Sequence, residues 1–66
     1  MSVARITEIS SSSKKSFEHA IEKGIERANE TLDNIEGAWA QDLKVVCKDG
    51  KISEYRVNMK VTFILR

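Results

Sequence analysis

The stretch of residues 52–66 most constrains the fold, because apolar and polar side chains alternate along it almost without interruption. Successive side chains of a strand point to opposite faces of a sheet, so the pattern predicts one long strand with one buried face. From residue 54 onward, Ile64 alone interrupts the polar row. The apolar row is Tyr55, Val57, Met59, Val61, Phe63 and Leu65, and the polar row is Glu54, Arg56, Asn58, Lys60, Thr62 and Arg66.

A second period lies upstream, where apolar residues recur at spacings of three and four. Such spacing predicts an amphipathic helix with one apolar stripe. Gly24 lies inside the stripe, which predicts that another backbone approaches the helix closely at that point. The stripe is Phe17, Ala20, Ile21, Gly24, Ile25, Ala28, Leu32 and Ile35.

The boundaries of the helix follow from residues that favour turns and caps. Residues 3–9 are rich in Val, Ile and Thr and predict a short first strand. The serines of residues 10–13 favour turns and N-caps, so we expect them to end that strand, with the N-cap near Ser13. We expect the helix over residues 14–35 and a left-handed stop at Gly37.

The segment of residues 48–50, Lys-Asp-Gly, predicts a hairpin between two extended segments. A three-residue loop with Gly50 at positive φ pairs Tyr55 with Leu43 and Val57 with Gln41. A two-residue loop would set Leu43 opposite Arg56 and mix the two faces, so we predict the longer loop.

Length indicates that the chain assembles. A strand of fifteen residues spans about 50 Å at about 3.3 Å per residue, whereas a helix over residues 14–35 covers only about 33 Å. A chain of 66 residues is one domain, residues 1–66, and it has a single cysteine and a single histidine. It therefore cannot form an internal disulfide or a Cys/His zinc site, and partner chains remain as the source of stability. The alternative is a shorter last strand that frays.

Composition excludes several classes of function. Eleven basic against ten acidic residues provide no concentrated basic face, which argues against nucleic-acid binding. No apolar run is long enough for a membrane helix, no signal peptide is evident, and a lone thiol suits the cytoplasm. No nucleophile–base pair, acid–base pair or metal set stands out, so we expect no enzyme activity.

Three blocks along the chain carry a resemblance to the dodecin family. Residues 27–35 are similar to the family's R-A-x-x-T-hydrophobic-x-x-hydrophobic. Residues 49–57 are similar to D-G-x-hydrophobic-x-E-Y-Q-V, and residues 60–65 to K-V-x-F-x-L. The resemblance implies an α+β fold: a β-α-β-β protomer whose three-stranded antiparallel sheet wraps around one amphipathic helix. It further implies a hollow homododecamer built from trimers, which binds and stores flavin (riboflavin or FMN) without turning it over.

Two family positions for flavin contact differ in this chain. The position of the stacking tryptophan is Gly37, which has no ring, and the glutamine that contacts the flavin edge is replaced by Arg56. Trp39 lies two residues beyond Gly37 and shares its strand face, so a shifted pocket would use Trp39 as its platform and Arg56 on the acceptor oxygens. The candidate flavin contacts are Trp39, Arg56, Gly37 and Gln41. The alternative for Trp39 is an ordinary buried or interface aromatic.

A second reading keeps the same shell without flavin. In this reading, cations or a small anion are held at symmetry axes. The candidate metal ligands are Asp42 and Glu36, together with Asp33. Calcium takes six to eight oxygens, so several protomers would have to contribute. The alternative for these carboxylates is a solvated surface role.

Overall fold

The fold is a β-α-β-β unit with one three-stranded antiparallel sheet, as the sequence predicts. A computed structural model describes residues 3–65, so Arg66 of the polar row lies outside the described residues. The elements in chain order are β1 Val3–Ser13, α1 Phe17–Asn29, β2 Ile35–Lys48 and β3 Lys51–Leu65, and the sheet order is β1-β3-β2. β3 has fifteen residues and the described chain is 51 Å long, so the last strand has its full predicted length and the shorter strand is excluded.

The two faces of β3 differ as the alternation predicts. Val57, Met59 and Val61 are fully buried beneath α1, while Arg56 and Asn58 on the opposite face are exposed. We call the side of the sheet that faces α1 the helix face and the opposite side the outer face. The described part of the chain holds no helix that is long and apolar enough to cross a membrane.

The serine run does not end the first strand, contrary to the sequence prediction. β1 continues through Ser13, which pairs with Tyr55, so all four serines of the run lie in the strand. Alternation turns Ser11 and Ser13 toward the helix. The Ser11 hydroxyl donates to the carbonyl oxygen of Ala20 at 2.7 Å, and the hydroxyl of Ser13 lies 2.6 Å from Nδ1 of His19. Tertiary partners on α1 thus satisfy hydroxyls that would otherwise favour a turn.

The helix begins later than predicted, and its N-cap is Ser16 instead of Ser13. The hydroxyl of Ser16 accepts from the backbone N–H of His19 at 3.0 Å, in the usual manner of an N-cap. Ser13 instead accepts from the backbone N–H of Lys15 at 2.9 Å, which orders the connection between β1 and α1.

Gly24 is a point of close approach, but the nearest atoms belong to side chains and not to the backbone that the sequence predicts. A Cβ built on Gly24 would lie 2.5 Å from Cε of Met59 and 2.9 Å from Cβ of Ser11. Glycine on the helix and serine on β1 are therefore the small residues that let the helix lie directly on the sheet.

The helix also ends earlier than predicted. It stops at Asn29, and the residue in the left-handed conformation is Asn34 (φ 58°), so Gly37 is not a helix stop but a residue of β2. The stripe continues beyond the helix because Leu32 and Ile35 remain half-buried. Periodicity alone therefore extended the predicted helix too far at this end.

The hairpin uses a two-residue turn, and the predicted three-residue loop is wrong. Lys48 pairs with Lys51, and both Asp49 (φ 53°) and Gly50 (φ 77°) have positive φ, as in a type I′ turn. The positive φ of Gly50 is confirmed. A register shift between Val46 and Cys47 then pairs Leu43 with Val57. A bulge thus restores the separation of the faces, and Leu43 does not meet Arg56.

The core contains residues of the predicted stripe, but the stripe residues differ in how deeply they are buried. Ala20 and Ala28 are the buried apolar residues of α1, whereas Ile21 and Ile25 are half-buried and pack against the core from its side. β2 receives little cover from the helix. On its helix face Leu43 is 60% exposed, although its partner Val57 is fully buried.

Candidate functional site

Two candidate flavin residues of β2, Trp39 and Gly37, share the outer face, as strand alternation predicts. Trp39 pairs with Lys60 and Gly37 pairs with Thr62, and both partners belong to the polar row of β3. Trp39 is 68% exposed, and the open space at Gly37 would leave a Cβ there without any neighbour within 4 Å. The outer face therefore offers a free indole beside a bare stretch of backbone, which suits a flat ring.

Arg56 lies on the same face but in a different neighbourhood. It pairs with Ser12 on β1 and with Lys44 on β2, so these three side chains form one row across the sheet. Nε of Arg56 lies 3.3 Å from Oε1 of Glu54 and donates to it. The Ser12 hydroxyl, followed by the Arg56 guanidinium, lowers the pKa of Glu54 below its ordinary value of 4.5.

A polar depression lies around this row, and we call it the outer basin. Its lining residues are Ser10, Asp42, Lys44, Arg56 and Asn58. The next row of the sheet, Ser10–Asn58–Asp42, runs beside the Arg56 row, so the register brings all five side chains together. Chemically the outer basin combines two cations, one carboxylate, one hydroxyl and one amide.

The structure separates the two main candidate residues within one protomer. Trp39 stands opposite Lys60, which lies four positions from Arg56 along β3, or about 13 Å at about 3.3 Å per residue. A ligand that lies on Trp39 would therefore meet the Arg56 of the same protomer only with its far end.

Gln41 occupies a bulge between Ala40 and Asp42, where the register of β2 shifts. Its side-chain Nε2 is buried and finds no hydrogen-bond partner among the described residues. Leaving a buried amide donor unpaired costs about 1–3 kcal/mol. Gln41 is therefore a polar group that a nearby acceptor would stabilise.

The two candidate metal ligands lie apart on β2. Asp42 pairs with Asn58, while Glu36 lies at the bulge between Ile35 and Gly37, near Thr62 and Phe63. Residues 3–65 contain no group of three or more His, Cys, Asp or Glu side chains that could hold a metal ion. One protomer therefore does not assemble a metal site from Asp42 and Glu36.

Sequence reasoning missed Lys44, Ser10 and Asn58 as neighbours of Arg56. The sequence pattern contains part of this information, because Asn58 belongs to the polar row predicted for the last strand. The positions of Lys44 and Ser10 required the register of β2 and β1 on β3. The two-residue turn and the bulge after it together make the sequence-based register of β2 wrong by two residues.

Comparison with solved structures shows close likeness over the whole chain. A dodecin from Streptomyces davaonensis is 34% identical, with a TM-score of 0.94, over 98% of this chain and 96% of that chain. The calcium-chelating calcium dodecin of Mycobacterium tuberculosis, which has a calcium-binding site, is 29% identical with a TM-score of 0.83, over 97% and 91%. A Thermus thermophilus dodecin variant, 24% identical with a TM-score of 0.94 over 100% and 98%, shares the fold.

The family comparison agrees with the structural one. A search of the curated proteins found no significant match. The family model for dodecins, however, matches residues 3–66. Together with the β-α-β-β topology and the three sequence blocks, this match shows that the chain belongs to the dodecin family, whose members are small, non-catalytic proteins that bind flavins and other ligands.

Proposed function

We propose that this chain is the protomer of a hollow homododecamer built from trimers, which binds and stores a flavin without catalysing a reaction. The main support for flavin binding is the exposed indole of Trp39 beside the open backbone at Gly37 on the outer face. Family membership supports the class of ligand and the absence of turnover. The proposal extends to the whole chain, residues 1–66, as a single domain.

The uncovered apolar side of β2 supports the assembly. Leu43 and Val45 are 60% and 37% exposed on the helix face, where their neighbours on β3 are covered. Burying apolar surface contributes about 25 cal/mol per Å², and a domain of this length has too small a core to leave such surface open. Contact between copies of the chain covers this surface in the proposed shell.

Trp39 takes over the stacking role in this proposal because the family's own position is Gly37. An indole offers a flat aromatic face, and stacking on one ring contributes about 1–3 kcal/mol by analogy with nucleobases. Gly37 leaves room for the ring next to the indole. Gln41 supplies a nearby amide whose unpaired donor gains from an acceptor on the ligand or on a neighbouring protomer.

Arg56 contacts acceptor oxygens of the ligand in this proposal. Its guanidinium donates but cannot accept, so it favours carbonyl, phosphate or anionic ring oxygens. The separation of about 13 Å from the Trp39 position directs Arg56 of the same protomer to the end of the ligand that is distant from the stacked ring.

Titration of riboflavin and FMN, followed by flavin fluorescence, tests the proposal. We expect quenching with the unchanged protein and a loss of affinity of about tenfold to a hundredfold in Trp39→Ala. His19→Ala serves as the control, because His19 contacts Ser13 near the start of α1 and has no part in the outer face. The absence of quenching at about 100 μM ligand contradicts the proposal, since even about 5–6 kcal/mol of binding would register there.

A flavin-free shell that holds cations at its symmetry axes is the second candidate. The calcium-binding site of the Mycobacterium tuberculosis relative favours it, together with the exposed Asp42 and Glu36. Repetition around an axis would supply the six to eight oxygens that calcium needs. Calorimetric titration with calcium distinguishes this candidate, which requires heat of binding that Asp42→Asn or Glu36→Gln removes.

A further inference from the structure

We propose that the free edge of β1 pairs antiparallel with the same edge of a second copy of the chain, about a two-fold axis that passes through Ile6. The inference goes beyond the proposed function, because it names an edge and a register, and it involves no ligand. Only the place of this contact in the shell, as the one that joins neighbouring trimers, rests on the proposed function.

The two free edges of the sheet differ in regularity. β3 lies in the middle, so β1 and β2 each leave one side of the backbone without a neighbouring strand within the described chain. The register of β2 on β3 shifts at three points between residues 35 and 47, and bulges of this kind bend and twist a strand. β1 pairs with β3 from Val3 to Ser13 without a shift. β1 therefore presents the regular row of N–H and C=O groups that another strand can join.

The side chains of β1 do little to prevent pairing at this edge. The chain has no proline, and Val3–Ser13 has no lysine, although both residue types commonly keep edge strands apart. The charged residues of β1, Arg5 and Glu8, lie on opposite faces of the sheet, because they are three positions apart in an alternating strand. Val3 and Ile6 are each 61% exposed. The edge thus carries β-branched apolar side chains that favour strands and lack cover.

Symmetry restricts the register of such a pair. A two-fold axis between identical antiparallel strands stands perpendicular to the sheet, so it keeps the helix faces of both copies on the same side. Residues directly opposite each other also share a face. Since the faces alternate along β1, the axis must pass through the position of one residue, which then stands opposite its own copy. For the central part of β1 the candidates are Arg5, Ile6, Thr7 and Glu8.

One of these four registers combines apolar contact with the absence of charge conflict. An axis at Arg5 or Glu8 sets like charges directly opposite each other, which destabilises a sheet. An axis at Thr7 sets Ile6 against the Glu8 carboxylate. An axis at Ile6 instead places both exposed large apolar residues of β1 against apolar partners, and such cross-strand pairs stabilise a sheet. The pairs are then Ile6–Ile6, Val3–Ile9, Ala4–Glu8 and Arg5–Thr7.

Cross-linking of single cysteines tests the register in a Cys47→Ser background, which removes the native thiol. Directly opposite Cα atoms lie about 4.5–5.5 Å apart, within the range of a disulfide. We expect Ile6→Cys to form a covalent dimer under mild oxidation, seen on a non-reducing gel. The matched control is Glu8→Cys on the same exposed face, whose two copies stand about 13 Å apart along the strands and should remain unlinked. The pairing is overturned if Ile6→Cys links no faster than Glu8→Cys, or if Thr7→Cys links faster than both.

Ile6→Lys tests the contribution of this contact to the assembly. Two lysines opposite each other on the axis repel, so light scattering should show a fall in mass while circular dichroism still shows a folded chain. The control is Ile52→Lys, which replaces another exposed isoleucine (51%) at the hairpin end and should keep the mass. An unchanged mass of the Ile6→Lys protein overturns the β1 contact and leaves the shell intact. If the unchanged protein is itself a dimer, the shell fails, and the cross-linking of Ile6→Cys still decides the pairing, as it does if Ile6→Lys does not fold.

Discussion

On the helix face, apolar side chains of the same kind are buried on β3 but exposed on the neighbouring strand β2. On β3, Val57 is fully buried beneath α1, and on β2 its direct partner Leu43 is 60% exposed. The two residues share a face and a row, so sequence pattern does not distinguish them. The difference shows that one protomer completes only the β1–β3 half of its core and leaves the β2 half open.

The cause is the length and position of the helix. α1 has thirteen residues, or about 20 Å at about 1.5 Å per residue, on a unit that is 51 Å long. Small residues at Gly24 and Ser11 bring it down over β1 and β3, where Met59 meets it. Nothing in a single described chain then remains to cover β2, and this supports the proposal that another copy does.

Leu43→Glu should have the largest effect, because it changes the open half of the helix face. A carboxylate on the open half should prevent burial against another copy, because an unpaired charge is costly to bury. We expect loss of the large assembly to small species or monomers, measured by light scattering. The matched control is Lys48→Glu at the exposed hairpin end, which should keep the assembly. A Leu43→Glu protein of unchanged mass would show that β2 is not an interface.

Met59→Ala tests the covered half. Met59 is fully buried at the centre of the core, and truncation of such a side chain leaves a cavity. We expect the free energy of unfolding to fall by about 2–5 kcal/mol, measured by urea denaturation of the assembled protein. An unchanged free energy of unfolding in Met59→Ala would contradict the position of this side chain at the centre of the core.

Gly24→Ala tests whether the close approach of α1 to the sheet explains why this half of the helix face is covered. The added methyl group meets Cε of Met59, which can move, and Cβ of Ser11, which is attached to the strand backbone. Overpacking of this kind costs about 1–3 kcal/mol, against a gain in helix propensity of about 1 kcal/mol. We expect a small net loss of stability by urea denaturation. Gly37→Ala is the control with open space around it, and a more stable Gly24→Ala protein would contradict the close approach.

Glu54→Gln should give the smallest effect, on the outer face. The pKa of Glu54 is lowered from 4.5 in the folded protein, so its ionised form stabilises the fold above that value. This contribution is lost as pH falls below 4.5 through the folded pKa. We expect the Glu54→Gln protein to lose less stability on acidification than the unchanged protein, measured by thermal melting. Identical acid profiles would exclude a role for Glu54, and Glu26→Gln on the exposed helix provides the control.

Much of the fold could be predicted from alternation and helical periodicity, and the errors lie where neighbouring elements decide. Local preference predicts a turn for the serine run, but Ser11 and Ser13 find partners on α1 and the run stays in the strand. The three-residue hairpin loop was wrong because a bulge near Val46 restores the faces after a two-residue turn.

The arrangement of the candidate site could likewise be predicted only in part from the sequence. That Trp39 and Gly37 share a face followed from a spacing of two residues, and the register confirms it. That Arg56 stands beside Lys44, and about 13 Å from the row of Trp39, depended on the pairing of β2 with β3. No local pattern contains this information, because a bulge shifts the pairing without changing the alternation on either side.

Period and short motifs are local properties of the chain, so they suffice to predict the long two-faced strand, the apolar stripe of the helix and membership in the dodecin family. Packing between the elements sets where β1 ends, which row of the outer face each side chain joins and which half of the helix face stays open. These outcomes depend on contacts between elements distant in sequence, and a side chain such as Leu43 is exposed or buried according to what lies above it.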